Sequence, residues 1–96
     1  MIDELLARRA AATFARLTSG KWGVPHTEIQ DDGTFVLLTV DVPSSKDSEV
    51  ESKLRPLVAN ALNELIQPHS EQKLGSWMVV FRRDGYVYES LLPSGL

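Results

Sequence analysis

Any chemistry in this 96-residue chain has to come from histidines, carboxylates, hydroxyls or cations, because it contains no cysteine. That removes thiolate nucleophiles, sulfur metal ligands and a disulfide framework together. Gly20-Lys21 in FARLTSGKWG is the pair that closes a phosphate-binding loop, but such a loop also needs a glycine five positions earlier and a hydroxyl residue after the lysine. Ala15 and Trp22 stand there instead. His26 and Glu28 would share one face of a strand and could meet a metal, yet His69 is far away in the chain and no ligand-like spacing completes the set. Asp31-Asp32-Gly33 lacks the further spaced oxygens of a calcium loop and suits a turn. Ser44, Ser45, Ser48 and Ser52 cluster where loop and helix-capping chemistry uses serines, and no Gly-x-Ser-x-Gly elbow occurs. The chain is therefore expected to have no catalytic, cofactor-binding or metal-binding set and not to be an enzyme.

The formal net charge of −3 is unevenly spread. Residues 1–23 carry a surplus of cations through Arg8, Arg9, Arg16 and Lys21, whereas residues 24–70 hold eight carboxylates against three cations. An acidic middle suits a basic partner and argues against nucleic acid, whose phosphates need clustered Lys and Arg. The N-terminal MIDELLARRAAATFARL starts acidic and is broken by arginines, unlike a secretory signal, and no run reaches the ~20 apolar residues of a membrane span. A cytoplasmic protein that binds no membrane is the expectation.

The elements that must position these residues follow from periodicity. Ile2, Leu5, Leu6, Ala10, Thr13, Phe14 and Leu17 recur at helical spacing, with Gly20 as the stop. VPHTEIQDDGTFVLLTVDV reads as two strands around a two-residue Asp32-Gly33 loop, which pairs Ile29 with Val36 and Thr27 with Leu38 and turns Val36, Leu38, Val40 and Val42 inward. A second helix follows through Val50, Leu54, Leu57, Val58, Ala61, Leu62, Leu65 and Ile66. A capping box of Ser48 and Glu51 favours an early start with a kink at Pro56, and a start at Ser52 is the alternative. GSWMVVFRRDGYVYESLLPSG forms the last hairpin, around Asp84-Gly85. The predicted fold class is α+β: a single compact domain over residues 1–96 in αββαββ order, with a four-stranded antiparallel sheet carrying both helices on one face.

In the unbroken register of the last hairpin, Trp77, Phe81, Tyr86 and Tyr88 share a face and Glu89 projects on the other, near Arg82. Either the aromatic face is the core or it is an open contact surface. The function expected on these grounds is a small protein-binding module, more narrowly an immunity-type inhibitor that neutralises a basic bacterial toxin domain. Its contact residues would be Asp31, Asp32, Asp41, Asp47, Glu49 and Glu51 for steering, and Trp77, Tyr86 and Tyr88 as anchors. Two readings compete with it. One is a small enzyme with Trp22, His26 or Tyr88 in a pocket; the other is a nucleic-acid-binding domain using Arg8, Arg9 and Arg16 with exposed sheet aromatics.

Overall fold

The computed structural model describes residues 2–42, 54–66 and 76–93. Helix α1 spans Glu4–Leu17, strand β1 His26–Gln30, β2 Phe35–Asp41, helix α2 Leu54–Leu65, β3 Trp77–Arg83 and β4 Tyr86–Leu91. The element order is the predicted one and the class is α+β. Within the described residues Pro56 is the third residue of α2, in its first turn. The candidate caps Ser48 and Ser52 lie outside the described residues.

Helix α1 begins at Glu4, with Asp3 just outside it as its N-cap. The Asp3 side chain accepts a hydrogen bond from the Leu6 N–H at 2.8 Å, satisfying one of the N–H groups that a helix start leaves open. The preceding Ile2 N–H donates to the Gly33 carbonyl at 2.7 Å, which ties the helix start to the β1–β2 turn. In that turn Asp32 and Gly33 have φ of 54° and 86°, and the Thr34 N–H closes onto the Asp31 carbonyl at 3.2 Å. Positive φ at both central residues is the type I′ signature, and Ile29 duly faces Val36 and Thr27 faces Leu38.

The sheet departs from expectation. Its strand order is β1-β2-β3-β4, and the central pair β2–β3 is parallel, so the sheet is mixed rather than antiparallel throughout. The reason lies in composition. FVLLTV and WMVVF are the two near-continuous apolar runs, the kind that suits strands flanked by neighbours on both sides, while HTEIQ and YVYES are polar enough for edges. Placing both apolar runs at the centre, with the α2-bearing segment as the crossover that a parallel pair needs, hides the most surface.

The last hairpin departs as well. Arg83 faces Tyr86 and Arg82 faces Val87, but the register then slips by one, so that Phe81 faces Glu89, Val80 faces Ser90 and Val79 faces Leu91. Tyr88 is the extra residue of this bulge. In the unbroken register Leu91 would oppose Met78 on the outer face; after the slip it lies beside Val79 with no exposed surface. Burying one leucine is worth about 1.5–3 kcal/mol, enough to offset one disturbed rung. Glu89 moves with it and does not meet Arg82, contrary to expectation.

Val36, Leu38, Val40 and Val42 are buried as predicted, and they share one apolar cluster with Ala7, Ala10 and Phe14 of α1, Val58 and Leu62 of α2, and Trp77, Val79 and Phe81 of β3. Leu38 and Leu62 have no exposed surface. If both helices pack on this sheet face, Leu38→Ala and Leu62→Ala should each lose about 2–5 kcal/mol in urea unfolding. Unchanged midpoints in both variants would exclude it. At the second turn Gly85 has φ +83° with open space around it, so any penalty for a side chain there comes from the backbone alone. Gly85→Val is expected to cost about 1 kcal/mol or more in the same measurement.

Candidate functional site

The site is built at the end of the molecule where α1 stops, β2 ends and the second hairpin turns. Helix α1 closes at Thr18, whose hydroxyl donates to the Phe14 carbonyl at 2.8 Å. Ser19 and Gly20 then take left-handed φ of 56° and 67°, and the Gly20 N–H returns to the Ala15 carbonyl at 2.8 Å. A second tight return, from the Gly23 N–H to the Gly20 carbonyl at 3.2 Å, leaves Trp22 folded back over the helix end. SGKWG is thus a reversal that lays an indole on the core.

Trp22 lies 6.4 Å from Phe14, nearly parallel at 24°, and 5.7 Å from Phe81, edge-on at 74°. Phe14 and Phe81 are 6.1 Å apart, and Tyr88 extends the series at 6.5 Å from Phe81. Such offset and edge contacts suit the ring quadrupoles. The Lys21 ammonium stands 5.0 Å from the Trp22 ring and the Arg83 guanidinium 5.8 Å from the Tyr88 ring. The series runs from inside to outside. Phe14 and Phe81 are fully buried, Trp22 is half-buried and Tyr88, its outermost member, is 41% exposed; Tyr86, beside the turn, is 78% exposed. Val24 and Val87 are exposed at the same end. Partial burial pushes the Tyr88 hydroxyl above the usual tyrosine pKa; Arg83 opposes the rise and Glu89 adds to it.

Two polar devices hold this end. Arg82 forks onto Asp41, its register partner across the parallel pair, at 3.0 and 3.2 Å, and the Val42 N–H donates to the Arg82 carbonyl at 2.8 Å. From α2, Arg55 reaches across to β4, where it pairs with Glu89 and donates to the Ser90 carbonyl at 2.8 Å. The slip in register is what brings Glu89 within its reach.

The nominated contact residues separate. Tyr86 and Tyr88 lie at the hairpin end. Trp77 does not reach the surface: it has no exposed area and its indole N–H donates to the Asn63 side chain at 3.0 Å, so it belongs to the core and is no surface anchor. Asp31 and Asp32 are exposed, but they sit at the first turn, beyond the start of β2, whereas Asp41 ends that strand and is paired with Arg82. A strand of this length spans about 20 Å, so these carboxylates form no single patch with Asp41. Asp47, Glu49 and Glu51 lie outside the described residues. Sequence reasoning missed that Trp22 and Tyr88 both pack on Phe81. The glycines on both sides of Lys21-Trp22 were the available signal of a reversal there.

Among the described residues no group of three or more His, Asp and Glu side chains is placed to hold a metal ion, and no helix is long and apolar enough to cross a membrane. Comparison with protein-family models, curated proteins and solved structures finds no match.

The Arg55 clamp generates a prediction. Arg55→Met keeps an unbranched apolar stem but abandons Glu89 and the Ser90 carbonyl, both partly buried. A loss of about 1.5–3 kcal/mol in denaturant unfolding is expected, with faster hydrogen exchange along β4 than along β2. Parent-like exchange in β4 would show that the clamp holds nothing.

Proposed function

We propose that this chain is a small non-catalytic protein-binding module whose contact surface is the β3–β4 hairpin end, with both helices covering the opposite stretch of sheet as its rigid support. The observation that carries the reading is the aromatic series that starts in the core at Phe14 and Phe81 and emerges as Tyr88, with Tyr86 exposed two residues before it. A tyrosine braced on the core, as Tyr88 is on Phe81, loses little freedom on binding and so keeps most of its contact energy. Anchors at interface centres are enriched in such residues.

The narrower proposal is an immunity-type inhibitor of a basic toxin domain. It draws support from the acidic residues 24–70, with Asp31, Asp32, Asp41, Asp47, Glu49 and Glu51 steering the encounter and Tyr86 and Tyr88 holding the complex. Asp31 and Asp32, remote from the tyrosines, are suited to steering alone.

The test is to tag the full chain in its native host, identify what co-purifies, and measure binding kinetics of two variant sets against it. Tyr86→Ala and Tyr88→Ala are expected to accelerate dissociation at a cost of about 2 kcal/mol or more, near the hot-spot threshold. Asp31→Asn with Asp32→Asn is expected to slow association and flatten its salt dependence while leaving dissociation alone. If neither tyrosine variant changes the dissociation rate, the hairpin end is not the contact.

A further inference from the structure

Two Asp-Gly pairs occupy equivalent turns, yet the fold holds them very differently. At the first turn Gly33 is buried, its carbonyl accepts the Ile2 N–H at 2.7 Å, and the Asp31 carbonyl accepts both the Thr34 N–H at 3.2 Å and the Thr34 hydroxyl at 2.8 Å. At the second turn Asp84 and Gly85 are both exposed, with φ of 53° and 83°, and a Cβ placed on Gly85 would meet nothing within 4 Å. No α-helix start is tied to that turn among the described residues.

We propose that Asp84-Gly85 is a self-modification site at which the main chain slowly isomerises to isoaspartate, and that the fold protects Asp32-Gly33 from the same reaction. The Gly85 nitrogen gives up its proton and attacks the Asp84 side-chain carboxyl carbon. A C–N bond forms, the carboxyl loses its hydroxyl, and one water leaves, giving a five-membered succinimide. Water then adds back at one of the two ring carbonyls. Cleavage on one side restores aspartate, and on the other it routes the main chain through the side chain, with no net change in composition and no oxidant or reductant. Glycine favours the step because no Cβ shields its nitrogen and its backbone turns freely.

The attack requires the turn to open so that the Gly nitrogen swings toward its neighbour's carboxyl. The rate therefore follows the free energy of local opening. Opening the first turn breaks the Ile2 and Thr34 bonds and exposes a buried glycine; opening the second disturbs only exposed residues beyond the Arg83–Tyr86 rung. The product lengthens the main chain between Arg83 and Tyr86 by one atom. A two-residue loop has no slack to absorb it, so the base of Tyr86 shifts.

The full chain is held at neutral pH for weeks, digested, and the aspartate and isoaspartate peptides separated, with enzymatic methylation of isoaspartyl carboxyls as a second readout. Isoaspartate is expected at residue 84 about tenfold faster than at residue 32, equivalent to about 1.4 kcal/mol in opening. In urea the two rates should converge, and Asp84→Glu should keep that position clear. Equal or reversed rates in the folded chain, no accumulation at residue 84, or a preference that persists unchanged in urea would each overturn the proposal.

Discussion

The parallel pairing of β2 with β3, from Val36 beside Trp77 to Asp41 beside Arg82, is the constraint on which the other placements depend. An antiparallel pair would bring the Asp84-Gly85 turn to the same end as Asp32-Gly33. The parallel pair sends it to the opposite end, where α1 terminates and β2 finishes. Tyr88 and Trp22 therefore both pack on Phe81 at the end where Arg82 forks onto Asp41, while the first turn keeps company with the start of α1 through the Ile2–Gly33 hydrogen bond. The separation of Asp31 and Asp32 from the exposed tyrosines is a consequence of strand direction.

Within that frame the slip in β4 resolves a conflict between turn and core. The two-residue loop dictates that Arg83 faces Tyr86, and an unbroken ladder from there would leave Leu91 on the outer face. A single extra residue satisfies both demands, because it keeps the turn and moves everything beyond it to the other face. Its side effects are useful. Glu89 comes under Arg55, whose second nitrogen binds the Ser90 carbonyl, and Tyr88 is left against Phe81 with part of its ring in solvent. A helix, an edge strand and an aromatic surface are thereby tied by one guanidinium.

The aromatic series gives the proposed contact surface a physical basis. Exposed tyrosines on a loose hairpin would lose much of their binding energy to ordering. Here Tyr88 rests on Phe81, Phe81 rests on Phe14, and Trp22 closes the side under a lysine. The rigidity comes from packing that the fold needs in any case.

Sequence alone determined what depends on near neighbours. Helical spacing and the Gly20 stop placed α1, the Asp-Gly pairs produced turns with positive φ, the first turn set Ile29 against Val36, and alternation identified Val36, Leu38 and Val40 as core. Tyr86 and Tyr88 could be nominated because they are large, apolar and beside a turn. Tertiary structure decided what depends on surface buried between segments far apart in the chain: that the two most apolar strands lie together and parallel, that β4 slips to bury Leu91, that Arg55 and not Arg82 meets Glu89, that Trp77 is core while Trp22 and Tyr88 both pack on Phe81. Periodicity and turn chemistry act over a few residues and can be read one segment at a time. The choice of strand neighbour, strand direction and register rests on burial summed over both partners, and neither partner's sequence contains that sum.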